Sequence, residues 1–146
     1  MIIHNGGGAL AWKCMAHPIA TDSPGAQELM IGTACYKYIL AMRMLLLDIG
    51  VAADELGPTP MMTDSQIMLD GTACERLVKS SRWLAARYAM IRRGVASDII
   101  LPTKTPGSAN VADILTKPLV GSAFLTHRAT ILGLRHWAGA TPAHFA

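Results

Sequence analysis

The chain is poor in charge and in aromatic side chains: 16% of its 146 residues are charged and 5% are aromatic. No acidic residue precedes Asp22. The three cysteines, Cys14, Cys35 and Cys74, lie far apart with no CxxC pair. That argues against a disulfide framework or a thiolate metal site and predicts buried, reduced thiols in an intracellular protein. No three- or seven-residue repeat runs through the chain, which excludes collagen-like and coiled-coil proteins. The longest apolar stretch, Tyr38 to Gly50, is broken by Arg43 and Asp48. A bilayer span needs about 18–20 uninterrupted apolar residues, so none is expected. The first residues, MIIHNGGG, show neither a basic leader followed by an apolar stretch nor an Arg-rich transit pattern. The net charge of +3 falls short of the dense basic stripe of a dedicated nucleic-acid binder.

What is present is apolar. A hydrophobic content of 51% and a mean hydropathy of +0.32 exclude a disordered chain. They supply a core for about one domain. With so few surface charges, part of the surface is expected to lie under a partner.

The pattern along the chain alternates short apolar strands with helices, which predicts an α/β fold with a parallel or mixed sheet. Ile2-Ile3 and Ala9 to Cys14 read as extended pieces joined by the Gly6-Gly7-Gly8 turn. That glycine run has no strand–loop–helix context and no lysine of a phosphate loop. Ser23 and Pro24 suit the start of a helix from Pro24 to Ile49, with Gly50 as its stop. Leu29, Thr33, Tyr36, Leu40, Met44 and Leu47 recur at three-to-four spacing as its core face. Val51 to Pro60 is a loop, Met61-Met62-Thr63 a strand, and Asp64 opens a short helical turn to Leu69. Lys79 to Arg93 forms a second long helix, capped by Ser80 or Ser81 and ended by Gly94. Asp98 to Leu101 is a strand closed by Pro102, and Thr103 to Ala109 a loop. Asn110 caps a short helix through Lys117, and Phe124 to Leu132 makes the last one. Trp12 and Trp83 are expected in the core, as are most of the nine methionines.

Several of these pieces, in order, resemble the RNase H domain of copia-type retrotransposon polyproteins. Gly7-Gly8-Ala9-Leu10-Ala11-Trp12-Lys13 is similar to that family's Gly-Gly-Ala strand, and Gln27-Glu28-Leu29-Met30 to the start of its long helix. Leu45 to Gly50 resembles the end of that helix, and Thr63-Asp64-Ser65-Gln66 its Asp-Asn-Gln motif. Lys79 to Arg93 resembles a later helix, and Asn110 to Leu119, NVADILTKPL, a signature near the family's end. Phe124, His127-Arg128 and Leu132-Gly133-Leu134 resemble the tail that follows. Departures occur at Arg82-Trp83-Leu84-Ala85, where the family carries a histidine and an acid, and at Ser65, where it has Asn. Pro24 and Gly25 stand where it has a regular first turn.

The resemblance implies an RNase H-like mixed sheet flanked by helices, filling residues 1–135, with 136–146 as a C-terminal tail. It also implies two Mg²⁺ ions about 4 Å apart, held by four acids. Glu28, Asp64 and Asp113 match three of them; the fourth, an Asp on the first strand, has no counterpart in this sequence. In the family's sheet the strands lie in the order three, two, one, four, five. Ile2-Ile3 then stands for strand two and Ala9 to Cys14 for strand three. Absence of the central strand leaves unpaired backbone on both sides. The fold then rearranges, or a protein partner supplies or covers that strand.

Each residue also has a plainer role. Asp113, three positions after Asn110, completes a capping box; Asp64 caps the turn before Ile67; Glu28 answers the helix dipole. Lys79, Arg82, Arg87 and Arg92 form either a solvated face or a track for a phosphate backbone. Three functions follow. The first is a catalytically inactive remnant serving as a structural or interaction subunit. The second is a fragment of a Mg²⁺-dependent ribonuclease H that cuts the RNA of RNA–DNA hybrids, its first strand carried on an upstream polypeptide. The third is a nucleic-acid-binding module without cleavage.

Overall fold

The computed structural model describes residues 1–4, 8–14, 24–73 and 84–134. Expectations resting on Gly6-Gly7, Ser23, Cys74, Lys79 to Trp83 and the tail 136–146 fall outside the described residues. The protein is mixed α/β. In chain order the elements are β1 (Ile2–His4), β2 (Ala9–Trp12), α1 (Pro24–Asp48), β3 (Thr59–Thr63), α2 (Gln66–Ala73), α3 (Ala85–Ala96), β4 (Ile100–Lys104) and α4 (Gly121–Ile131), with 3-10 turns at Ala53–Glu55, Gly107–Ala109 and Val111–Leu115. Among the described residues the strands form two pairs: β1 with β2, antiparallel, and β3 with β4, parallel. The chain divides into two compact units, one of Met1–Ala16 with Thr105–Ala146 and one of His17–Lys104.

In the His17–Lys104 unit, α1 packs on α2, α3 and β3, while α2 and α3 pack on β4. Leu29, Ile91 and Ile100 are sealed from solvent, and Tyr36, Ile39, Met61, Met68, Leu84 and Tyr88 complete the cluster. Each such side chain contributes about 1.5–3 kcal/mol of burial. The core face of α1 reaches Leu40, half-buried against the cluster; Met44 and Leu47, expected to continue it, are 64% and 45% exposed. The reason is length. At 1.5 Å per residue α1 runs about 38 Å, roughly twice the span of α3, so its last turns outreach the elements it packs on. Arg43 ties that overhang to the following loop, donating to the Leu56 and Gly57 carbonyls (2.7 Å each) and to Thr59 Oγ1 (3.2 Å). By length and composition α1 is the one helix among the described residues able to cross a membrane, and 33% of its apolar window is buried within the protein. Core helices of soluble proteins pass the same test.

β4 does not close at Pro102 but runs two residues further. The Thr59 N–H donates to the Ile99 carbonyl (2.9 Å), and Thr59 pairs with Ile100, Met61 with Pro102 and Thr63 with Lys104. In a parallel ladder successive residues direct their backbone groups to opposite sides. Pro60 and Pro102 therefore both lack their N–H on the outer edges, where no ladder bond is lost. Gly94 does not end α3 either. The helix continues to Ala96 and stops at Asp98, whose φ is +50°. Asp98 N–H reaches the Val95 carbonyl and Ile99 N–H the Gly94 carbonyl, a Schellman closure with aspartate in the left-handed place. Gly50, as expected, closes α1 in the same way. The physical role of Gly94 is packing: a methyl there would sit 2.6 Å from the Tyr36 ring.

In the other unit β1 and β2 form a hairpin with an irregularity between Ile3 and His4. Gly8, at φ +145°, brings the hairpin against the Ile131 carbonyl and Gly133. α4 packs on the 3-10 turn Val111–Leu115. Along β2 the alternation turns Ala9 and Ala11 inward and Leu10 and Trp12 outward, so Trp12, expected in the core, is 64% exposed. Cys14, expected buried, is exposed just past the strand, its Sγ on the Leu115 carbonyl at 3.2 Å. Cys35 is half-buried, and burial pushes its thiol pKa up.

Gly71 lets α2 approach α3: a methyl at this position would run into the Tyr88 ring. Replacing a helical glycine by alanine normally gains about 1 kcal/mol. Here overpacking costs about 1–3 kcal/mol and dominates, because Tyr88 is itself buried. Gly71→Ala should lower the denaturant midpoint by an amount equivalent to about 1–2 kcal/mol. Gly57→Ala, with open space around it, should stay within about 0.5 kcal/mol of the parent chain.

Candidate functional site

Two of the three candidate acids are brought into one neighbourhood, at the carboxyl end of the parallel pair β3–β4. This is the end at which open α/β sheets bind ligands. Asp64 follows the last residue of β3 and is exposed; its carbonyl accepts from Lys104 Nζ at 2.7 Å. Register explains the contact, since Thr63 and Lys104 are paired across the ladder. Ser65 is buried and joins the elements. Its backbone N–H donates to Thr63 Oγ1 (3.1 Å), and its hydroxyl accepts from the Met68 N–H (3.1 Å) at the start of α2. The same hydroxyl donates to Glu28 Oε2 of α1. Glu28 is the fifth residue of α1, past the first turn, so its partner is Ser65 and not the helix dipole. The cluster thus holds two carboxylates and one ammonium group, with Ser65 as the hinge between Glu28 and Asp64.

Asp113 belongs to the other compact unit. Its carboxylate pairs with Lys117 Nζ at 2.6 Å, four residues on, and is mostly buried. Asn110 caps as expected, accepting from the Ala112 N–H at 3.2 Å. The Asp113 carboxylate turns forward to Lys117 and not back to Asn110, and the segment is a 3-10 turn and not an α-helix. Among the described residues no group of three His, Cys, Asp or Glu side chains is arranged to hold a metal ion.

Of the four basic residues considered for nucleic acid, Lys79 and Arg82 lie outside the described residues. Arg87 is half-buried on α3. Arg92 is turned inward: Nε donates to the Gly71 carbonyl at 3.0 Å, and the guanidinium lies 5.6 Å from the Tyr88 ring centroid. Its Nη2 is buried with no hydrogen-bond partner. Burial of Tyr88 raises the pKa of its phenol, with Arg92 opposing that shift. Arg93 is exposed and borders a groove lined also by Tyr36, Ala86, Ala89 and Met90.

Sequence reasoning passed over Lys104 and read Ser65 only as a departure from the family's Asn. Ending the strand at Pro102 put Lys104 in a loop; the alternating placement of prolines on outer edges was the signal that could have extended it. The chain matches no protein-family model, no curated protein and no solved structure.

Two consequences are measurable. Ser65→Ala removes a helix cap worth about 1 kcal/mol and a hydrogen bond to a carboxylate worth about 1.5–3 kcal/mol. Since both run through one hydroxyl, a combined loss of about 2–3 kcal/mol is expected by denaturation. Glu28→Gln, which keeps an acceptor for Ser65, should lose less than half of that. Arg92→Ala should cost about 1–3 kcal/mol in stability through the lost Gly71 bond and ring contact. Arg93→Ala should leave the midpoint within about 0.5 kcal/mol.

Proposed function

We propose that this chain is an RNase H-like remnant of a copia-type retroelement polyprotein, without nuclease activity of its own and acting as a structural or interaction subunit. The observation that carries this reading is the pairing of the strands among the described residues. An order of three, two, one, four, five without strand one leaves an antiparallel pair of strands two and three and a parallel pair of strands four and five. β1–β2 and β3–β4 have those pairings and directions. The boundary between the two compact units separates the same pairs.

Loss of activity is supported by the state of the acids. Glu28 is engaged by Ser65, Asp113 by Lys117, and Lys104 sits against the backbone of Asp64. Two Mg²⁺ ions need several carboxylates with free oxygens converging at one place. Glu28 and Asp64 are the two that fit such a site; Mg²⁺ there would activate the attacking water and steady the leaving oxygen. Glu28 would have to exchange its Ser65 bond for the metal. The inward use of Arg92 weakens the case for a phosphate-tracking helix.

The test is cleavage of an RNA–DNA hybrid by the purified, folded chain with Mg²⁺ and with Mn²⁺, beside Asp64→Asn. The expected outcome is no cleavage above the Asp64→Asn background in either metal. Cleavage abolished by Asp64→Asn would overturn the reading in favour of an active ribonuclease.

A further inference from the structure

A surface helix normally turns its polar side to solvent. α4 does the reverse. Its buried residues are His127 and Thr130, while Phe124 and Leu125 are exposed, Leu125 by 58%. At 3.6 residues per turn, Gly121, Phe124, Leu125, Arg128 and Leu132 fall within an arc of about 100°, away from the buried pair. Leu132, at the end of the helix, is exposed as well. Val120 just before α4 is 81% exposed and Leu134 just after it 73%. Single exposed leucines are ordinary on a protein surface. A row of large apolar side chains along one outward face marks a contact surface.

The charge pattern says what the contact is with. The row carries one charged side chain, the exposed Arg128. The compact unit that holds α4 has a single acidic side chain, Asp113, and that is paired with Lys117. With Lys13, Lys117, Arg128 and Arg135 against that one acid, this unit holds the chain's whole formal net charge of +3, and the His17–Lys104 unit is balanced. A second copy of the chain fits poorly: a two-fold pairing centred on the row sets Arg128 against Arg128. Nucleic acid would take up the guanidinium and leave Val120, Leu125, Leu132 and Leu134 uncovered. An anionic bilayer surface answers both features. Its acyl boundary covers the apolar side chains, and its phosphate and carboxylate headgroups pair with the guanidinium. At 1.5 Å per residue α4 is about 16 Å long, too short to span the hydrocarbon core of about 30 Å, so it lies along the surface.

We propose that the outward face of α4 docks on membranes containing anionic phospholipid, with Phe124, Leu125 and Leu132 turned into the acyl boundary and Arg128 at the headgroups. One short helix with few cations makes this association reversible. The inference does not rest on the nuclease-remnant reading: hybrid cleavage neither supports nor removes it.

Flotation of the full chain with vesicles of phosphatidylcholine, alone and mixed with phosphatidylserine, tests it. The chain should bind the mixed vesicles about tenfold more tightly than phosphatidylcholine alone, and lose that preference at high salt. Leu125→Glu should weaken binding about tenfold or more, with far-ultraviolet circular dichroism unchanged. Arg128→Glu should abolish the preference for phosphatidylserine. Met44→Glu, at an exposed apolar position on the long helix α1, should leave binding as it is. A folded chain that ignores both kinds of vesicle would overturn the proposal. So would binding indifferent to Leu125→Glu or to phosphatidylserine, or binding lost with Met44→Glu, which would place the contact on α1. A chain that ignores vesicles but self-associates, and becomes monomeric with Leu125→Glu, would assign the face to a protein contact and overturn it too.

Discussion

Leu29, Ile91 and Ile100 come together in one sealed cluster, and the His17–Lys104 unit depends on that contact. A two-stranded parallel pair has no stability of its own; parallel strands persist where helices cover them. Ile100 is the contribution of β4, Ile91 that of α3 and Leu29 that of α1. The helices reach this closeness through glycines at Gly71 and Gly94, each lying under a tyrosine ring. Arg92 then locks α3 to the end of α2 through the Gly71 carbonyl.

The same packing sets the polar cluster. Because α1 lies on β3 near its own amino end, Glu28 reaches the residue that opens α2. Ser65 spends one hydroxyl on two tasks, accepting from a helix N–H and donating to a carboxylate. A buried hydroxyl satisfied in both directions is a structural device first. Glu28 and Asp113 are held by a hydrogen bond and an ion pair within the chain, while Asp64 is exposed at the end of β3.

Among the described residues both strand pairs have open edges, and the outer edges of β3 and β4 each carry a proline. Proline removes a donor from an edge and makes strand addition less favourable there. Exposed large apolar side chains lie on α1, among them Ile31, Met44 and Leu45, and also on and around α4, among them Val120, Leu125 and Leu134.

The long helix and its stop at Gly50, the strand before Asp64 and the cap at Asn110 were legible in the sequence. The stop and the cap are decided by neighbours a few residues away: a left-handed glycine, a side-chain oxygen near a free N–H. The placement of Glu28 near Asp64 was legible only through a family resemblance. Tertiary structure alone decided that Met44, Leu47 and Trp12 face solvent, since periodicity shows which residues share a face and not whether anything lies against it. It also decided that β4 passes through Pro102, because the tolerance of a proline depends on which edge has a neighbour. Lys104, Ser65 and Arg92 acquired their roles in the same way. Their partners, Asp64, Glu28 and Gly71, are many residues distant and meet them only when the helices close over the strands.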